Sequence, residues 1–370
     1  MPKKNKAENY DFGSIDHVRH SKKKPAFPIG KLFREYLHEY GREEKIPLKY
    51  SDLLYWSESI PIHDKKGNDT LWRSVIYPPH AQDEIHRALT QVYGLLKTGG
   101  NMAVIEHLIV AQIDYCQFGN SNPFRIKIRN TFNDVHDYFY VKKVDASRVY
   151  GLEMEHILSP NRIFYIIDED TIVEEHIMGI PCDIFIEDYL SQPRYQEVPL
   201  AKEFVKFNER CFVLLLGDMR SYNYVINMTP DFDKTQYRAR CIDFDQFCYE
   251  GRRNNYLPQF YKENNPIVAF CSRVLLPETI YQYQYEERSL IKKRYQVAKI
   301  RLLKLLDAMR DEVISTPEKV ASLAIDMNQY HHTKEFSGMD TMGKILRLHL
   351  RLMFDKPKLE VPGRVTFKNK

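Results

Sequence analysis

The feature that most constrains the fold is a short polar loop between two apolar runs near the middle of the chain. Residues 212–216 and 224–226 are continuous apolar runs, and the loop between them carries Asp218 and Asn223. Runs that are this short and this apolar favour buried strands over helices. We therefore expect the loop to be held at both ends, with its two polar side chains presented together.

A second acidic residue lies at the far end of a predicted hairpin. Residues 238–242 form a strand-like run that ends at Asp243, and the polar, proline-containing segment 229–233 is a turn signal. The returning strand would bring Asp243 beside Asn223, where two oxygen ligands can share a small hard cation with phosphate oxygens. Asp218 could orient an attacking hydroxyl group. The spacing alone is also compatible with ordinary loop residues.

Upstream, a turn and a strand supply groups that can bind phosphate. Asn120 and Ser121 lie in a turn between two strand-like segments, where backbone N–H groups could point at an anion. Residues 138–144 then predict a strand that ends in Lys142 and Lys143. Strand alternation places Lys143 on the face of the small Val141, which would leave room for a flat ring, and this favours Lys143 over Lys142.

A helix and a further hairpin follow the lysine strand. Asp145 is placed to open a helix that carries Glu153 and Glu155, either of which could hold the lysine, with Glu153 preferred. Residues 163–167 and 171–179 then predict a hairpin that leads into a connector. The acidic turn between the two runs supports this interpretation.

In this order, the elements from about residue 105 to residue 260 resemble the protein-kinase-like superfamily, and within it the aminoglycoside phosphotransferase and choline kinase branch. That branch has a Ser-Asn turn, a strand similar to residues 140–143, and a Gly-Asp-x-x-x-x-Asn loop followed by Ile-Asp-Phe-Asp. This sequence has Gly217, Asp218 and Asn223, and then residues 242–245, at the matching places.

The resemblance implies a bilobal α+β fold, in which an antiparallel β N-lobe and a mainly helical C-lobe enclose ATP and Mg²⁺ in a cleft. Asp218 would be the catalytic base, and Asn223 and Asp243 would be the metal ligands. The implied nucleotide-binding groups are the Asn120 and Ser121 turn, Lys143 held by Glu153, and the backbone at Glu175 and Ile177 in the connector, which corresponds to the hinge. The implied activity is transfer of the γ-phosphate to a hydroxyl group, with a small-molecule acceptor favoured.

Three departures from the family pattern keep alternatives open. Leu216 stands where the family usually has a histidine, no Asp-Phe-Gly glycine follows Asp243, and no Ala-Pro-Glu segment follows. A pseudokinase that acts as a scaffold or regulator, nucleotidyl transfer, and protein kinase activity therefore remain alternatives. If an apolar residue replaces the histidine by packing, Leu216 should be buried and the loop ordered.

Composition supports a folded protein with an appended region. The 370 residues are 43% hydrophobic, enough for one large two-lobed core. The expected parts are a flexible basic arm (1–27), a helical extension of the N-lobe (28–100), the N-lobe (101–180), the C-lobe (181–355) and a basic tail (356–370). In the C-lobe, residues 285–314 predict one long helix, residues 315–318 a capping box that starts a second helix, and residues 338–352 a third.

Cysteine usage and the termini indicate the compartment and exclude some partners. The six cysteines form no Cys-x-x-Cys pair and lie in or beside apolar runs, which predicts buried thiols and no zinc site. Without an apolar run of membrane-spanning length or a signal-peptide core, we expect a cytoplasmic protein with no membrane partner. The basic termini carry no nucleic-acid-binding motif, so nucleic acid is not an expected partner.

Overall fold

The computed structural model describes residues 24–64, 66–98, 102–192, 197–231 and 234–355. The helices are α1 (Lys31–Glu39), α2 (Pro79–Thr98), α3 (Ala146–Leu158), α4 (Cys182–Ile184), α5 (Glu197–Leu214), α6 (Asn265–Val274), α7 (Pro277–Val297), α8 (Lys299–Met309), α9 (Pro317–His331) and α10 (Met342–Asp355). The strands are β1 (Glu58–His63), β2 (Asp69–Ile76), β3 (Leu108–Cys116), β4 (Phe124–Asn130), β5 (His136–Lys143), β6 (Tyr165–Asp168), β7 (Thr171–Glu175), β8 (Ile180–Pro181), β9 (Tyr224–Asp231) and β10 (Lys234–Cys241). The α+β class is confirmed.

The chain forms two compact units. The first, here called the sheet unit, consists of Glu43–Val144 and Phe164–His176 with the described residues before Phe27. The second, the helical unit, consists of Phe27–Arg42, Asp145–Ile163 and the described residues from Ile177 onward. Helix α1 therefore belongs to the helical unit, although the sequence placed residues 28–100 with the sheet. The predicted basic tail and most of the basic arm lie outside the described residues.

The sheet unit is built on one antiparallel sheet of seven strands in the order β1-β2-β3-β4-β5-β7-β6. Alternation along β4 buries Phe124, Ile126 and Ile128 on one face. This face packs with apolar residues of α2, including Leu89 and Val92, to form the core of the unit. The opposite face is polar and aromatic. Alternate side chains of an antiparallel strand point to opposite faces, so the sheet can bury its apolar face and leave the polar face exposed to water.

Two of the seven strands were not expected from the sequence. The sequence predicted a helical extension over residues 28–100, but β1 and β2 lie inside this range and β2 pairs with β3. The burial pattern of β1 does not alternate cleanly, as is common for an edge strand, so its periodicity was too weak to indicate a strand. Within the same range, the apolar periodicity of residues 81–96 predicts a helix, and α2 matches it to within two residues at each end.

The helical unit contains a small antiparallel sheet in the order β10-β9-β8. The predicted hairpin is confirmed, because Tyr224 pairs with Cys241 and the register continues to the Asp231–Lys234 pair. The predicted helix over 285–314 is instead two helices, α7 and α8, separated at Ala298. Thr316, and not Ser315, caps α9, since the Thr316 side chain accepts a hydrogen bond from the Lys319 N–H.

The predicted strand over residues 212–216 is wrong. Helix α5 continues to Leu214 and ends when Leu215 takes a left-handed conformation with φ of 53°. The Leu216 N–H then donates to the Cys211 carbonyl at 2.8 Å, and the Leu215 N–H to the Phe212 carbonyl at 3.2 Å. This is the Schellman arrangement that closes many helices. Glycine usually occupies its left-handed position, so a leucine there gave no signal that a helix ends.

All six cysteines are buried thiols, as expected. In the part of the chain that the structure describes, no helix is both long and apolar enough to span a membrane.

Candidate functional site

The polar loop is fixed by close packing of the two residues that precede Asp218. Leu216 is 1% exposed and forms an isolated β-bridge with Phe247, so its predicted burial is confirmed. At Gly217, a Cβ atom would lie 2.7 Å from the Gln246 carbonyl oxygen, so only glycine fits there. Asp218 itself has a φ of 57°. A non-glycine residue in this region is strained, and such strain is often found at functional sites.

The Asp218 carboxylate is surrounded by donors. Its Oδ1 accepts from Arg220 Nε at 2.9 Å, and its Oδ2 lies 3.4 Å from Asn223 Nδ2 and 3.3 Å from Gln246 Nε2. Arg220 also binds Glu263, at 2.7 Å. On the backbone side, the Asp218 N–H lies 3.0 Å from the Tyr261 hydroxyl oxygen. The carboxylate is thus oriented from several directions.

Burial raises the pKa of Asp218 to about 6, and this effect exceeds the opposing one of Arg220. The nearby charge of Asp243 acts in the same direction as burial. A carboxylate with a pKa close to neutrality is a better proton acceptor than an ordinary aspartate, because general-base catalysis is most efficient near the working pH.

Asn223 and Asp243 come together through the backbone, as the hairpin predicted. The Ile242 N–H donates to the Asn223 carbonyl at 3.0 Å, which places Asp243 one residue beyond this contact. The Asn223 amide nitrogen donates to the Asp218 carbonyl at 2.7 Å. Since the amide nitrogen is used in this hydrogen bond, the amide oxygen is the atom with which Asn223 can bind a metal ion.

Asp243 has an ion-pair partner that sequence reasoning missed. Arg148 of α3 lies with Nη1 3.1 Å from Asp243 Oδ1 and 2.7 Å from Asp245 Oδ1. The Asp245 N–H also donates to Asp243 Oδ1, at 2.9 Å. Arg148 was visible in the predicted helix, but its partner lies 95 residues away and no local pattern connects the two. The one signal in the sequence was Asp245, because a second carboxylate so close to Asp243 needs a positively charged partner.

The donor set of this loop fits Mg²⁺ only together with a phosphate ligand. Within the described ranges, no group of three or more histidine, cysteine, aspartate or glutamate residues could hold a metal ion. Asp243 and Asn223 supply hard oxygen ligands, which Mg²⁺ prefers, and Mg²⁺ is commonly bound by one or two carboxylates plus substrate phosphates and water. The set matches that pattern and not that of a permanent all-protein site.

Of the two candidate lysines at the end of β5, Lys142 lies against a carboxylate. Its Nζ lies 2.9 Å from Glu174 Oε2 of β7, and both side chains are buried. Lys143 is exposed. The reason for preferring Lys143 was room beside the small Val141, but Val141 is buried in the core cluster that includes apolar residues of α2. Glu174 was missed because β5 and β7 are separated by α3 and β6 in the chain.

The predicted partner of the lysine lies in the helical unit. Glu153 is fully buried and accepts hydrogen bonds from Tyr36, Arg42 and Arg301, each at 2.7 Å. Glu155 accepts from Asn161 at 3.0 Å. The pairing of Lys143 with either glutamate would join the two units, and it stays a prediction.

The predicted phosphate turn and connector are also described. The Asn120 side chain accepts from the Lys24 N–H at 3.0 Å, and Ser121 is partly buried in the same turn. The Glu175 side chain accepts from the Phe164 N–H at 3.0 Å, and Ile177 is buried. Their roles in nucleotide binding stay predictions. Lys24 is itself buried, so the end of the predicted flexible arm is packed.

No protein-family model matches the chain, and no curated protein matches it in sequence.

Proposed function

We propose that this protein is an ATP- and Mg²⁺-dependent phosphotransferase that acts on the hydroxyl group of a small molecule. The observation that carries the proposal is the meeting of Asp218, Asn223 and Asp243 in one loop system of the helical unit, with the pKa of Asp218 raised by burial to about 6. A base, an amide oxygen and a carboxylate in this order are the groups that phosphoryl transfer requires.

In the proposed reaction, the acceptor oxygen attacks the γ-phosphorus and the bond to the β-phosphate oxygen breaks. The Asp218 carboxylate takes the proton of the acceptor hydroxyl. When bound with the nucleotide, Mg²⁺ would supply positive charge that neutralises the phosphates. Asn223 and Asp243 would hold it through their side-chain oxygens. Arg220 holds the Asp218 carboxylate in one orientation, so little rearrangement is needed before the proton moves.

The finer parts of the proposal come from the resemblance. A kinase-like bilobal arrangement would use a β5 lysine at the phosphates, and the ion pair of Lys142 with Glu174 supports Lys142 for this role. The segment after Asp243 supports a small acceptor. It contains the short 3₁₀ turns Arg253–Tyr256, Pro258–Phe260 and Lys262–Asn264, and its Tyr256 side chain is buried. A compact segment of this kind differs from a long peptide-docking loop.

The test is thermal unfolding of the protein with ATP and MgCl₂. A ligand at a hundred times its dissociation constant adds about 2.7 kcal/mol to the free energy of unfolding. Asp243→Asn should remove most of this gain, whereas Asp218→Ala should keep it and abolish phosphate transfer to a metabolite mixture. Asp340→Asn, at a carboxylate with 70% of its side chain exposed, is the control for the loss of one negative charge.

A scaffold or regulator on the same fold is the second candidate. The Arg148 guanidinium on Asp243 favours it, since a cation already occupies the neighbourhood of the predicted metal ligand. If ATP and Mg²⁺ leave the unfolding temperature of the wild type unchanged, the phosphotransferase proposal fails and the scaffold is preferred.

A further inference from the structure

One face of α3 is pressed onto the segment that carries Asp243. The Ser147 hydroxyl lies 2.7 Å from the Phe247 carbonyl and 3.2 Å from the Asp245 carbonyl. At Gly151, a Cβ atom would be 2.9 Å from the Phe247 side chain, so the helix lies too close to the segment for a larger residue to fit without a shift. The position of α3 therefore fixes the position of the Asp243 segment.

Arg148 lies on this face between the two contacts and is 1% exposed. Its Nη1 atom contacts one oxygen of Asp243 and one of Asp245. A buried guanidinium pays a desolvation cost that only fixed carboxylates can offset. Asp243 and Asp245 are these carboxylates. The charged form of each of the three side chains is therefore stabilised by the others.

We infer that Arg148 is a positioning residue that acts as a built-in counter-ion and keeps the affinity of the Asp243 site for a metal ion low until a nucleotide brings the metal. This inference rests on the proposed function. Arg148 sets one positive charge against the carboxylates of Asp243 and Asp245, so it lowers the negative charge that attracts a divalent cation. At partly buried sites each unit charge changes ion binding strongly, because the effective dielectric constant is far below that of water.

The consequence is an order of binding. The free metal ion meets carboxylates whose charge Arg148 already offsets in part, and it binds weakly. A metal ion that arrives on a nucleotide brings phosphate oxygens as further ligands, so the same site can hold it. Arg148 meanwhile keeps the two aspartates from repelling each other in the metal-free protein, and the loop stays in place.

A series of charge variants of the full chain tests this, with Mn²⁺ alone as the probe and the EPR signal of unbound Mn²⁺ as the readout. Arg148→Gln makes the site more negative by one charge and should bind Mn²⁺ about tenfold more tightly than the wild type, or better. Asp245→Asn makes the site less negative by one charge and should bind Mn²⁺ about tenfold more weakly. The double variant has the net charge of the wild type and should return to the wild-type affinity.

The matched control is Arg273→Gln. Arg273 pairs with Glu197 on the surface, with side chains 67% and 57% exposed, so this variant makes the same net-charge change away from the Asp243 segment. Its Mn²⁺ affinity should equal that of the wild type. If Arg148→Gln does not fold, Asp245→Asn still decides, because an unchanged affinity there overturns the inference.

The outcomes separate this inference from the proposed function. Tight binding of Mn²⁺ together with ATP by the wild type, with equal Mn²⁺ affinities across the charge series, overturns the inference alone. A wild type that binds no free Mn²⁺ while Arg148→Gln does bind it supports the inference. If neither protein binds Mn²⁺, with or without ATP, both the inference and the proposed function are wrong.

Discussion

We expect the buried carboxylate of Asp218 to lower the free energy of unfolding at neutral pH. Burial raises the pKa of its carboxyl group from 3.8 to about 6. Between these values the folded protein binds more protons at this group than the unfolded chain does. The free energy of unfolding therefore falls as the pH rises through this window, and the loss is complete above about pH 6.

We accordingly expect Asp218→Asn to be more stable than the wild type at pH 8, by no more than about 3 kcal/mol. Near pH 4 the advantage should largely disappear, because the wild-type carboxyl group is then protonated in the folded protein. Calorimetric unfolding of both proteins at the two pH values measures this. A stability difference that is the same at both would show that Asp218 does not titrate near pH 6.

At this scale the sequence predicted the groups that neighbour one another through local structure. Asp218, Asn223 and Asp243 were found because a loop and one hairpin connect them. The partners Arg148 and Glu174 were not found, since each reaches its aspartate or lysine through tertiary packing. Which residues face each other across separate elements cannot be derived from spacing along the chain.

Among the helices, the contact of α10 with α8 depends on one glycine. At Gly343 a Cβ atom would lie 2.2 Å from the Met309 carbonyl oxygen, which belongs to the backbone and cannot rotate away. We expect Gly343→Ala to lower the free energy of unfolding by roughly 1–3 kcal/mol, as overpacking does.

The intrinsic helix preference of alanine over glycine acts in the opposite direction, by up to about 1 kcal/mol. The sign of the change in the free energy of unfolding therefore shows which of the two effects is larger. Denaturant unfolding measures this free energy, provided that the m-value is unchanged. A stabilised variant would mean that α10 and α8 are not in such close contact.

Element boundaries were predictable where ordinary stop signals occur and not elsewhere. Lys143 and Asp145 correctly marked the change from β5 to α3. The end of α5 was missed because Leu215 adopts a left-handed conformation, a position at which glycine is the usual signal. The break at Ala298 was missed for the opposite reason, since alanine is the best helix former and gives no indication of an interruption.

For the whole molecule, the reactivity of the cysteines tests whether the interior of each unit is closed to solvent. All six are buried thiols, and burial raises the pKa values of Cys211, Cys241 and Cys248. We expect Ellman's reagent to modify them slowly in the folded protein at pH 7, because thiolate and access are both lacking. In guanidinium chloride without reductant, all six should react. A smaller number after denaturation would show that some form disulfides.

The α+β class, which the resemblance implied, is confirmed, whereas the division into units differs from the predicted one. The sequence suggested consecutive segments, but each unit is assembled from several separate ones. Helix α1 illustrates the difficulty, since it precedes the sheet in the chain and yet belongs to the helical unit. Membership of a unit is decided by which apolar faces meet, and an amphipathic pattern shows only that a face exists.

The strand order also has a consequence for synthesis on the ribosome. Strand β7 pairs with β5, but the chain must first complete α3 and β6. A nascent chain that has emerged only as far as β5 therefore carries an open sheet edge, which is a template for pairing with other chains. Translation that stalls in this interval leaves the growing polypeptide exposed to aggregation and dependent on chaperones, until the residues of β7 arrive and close the edge.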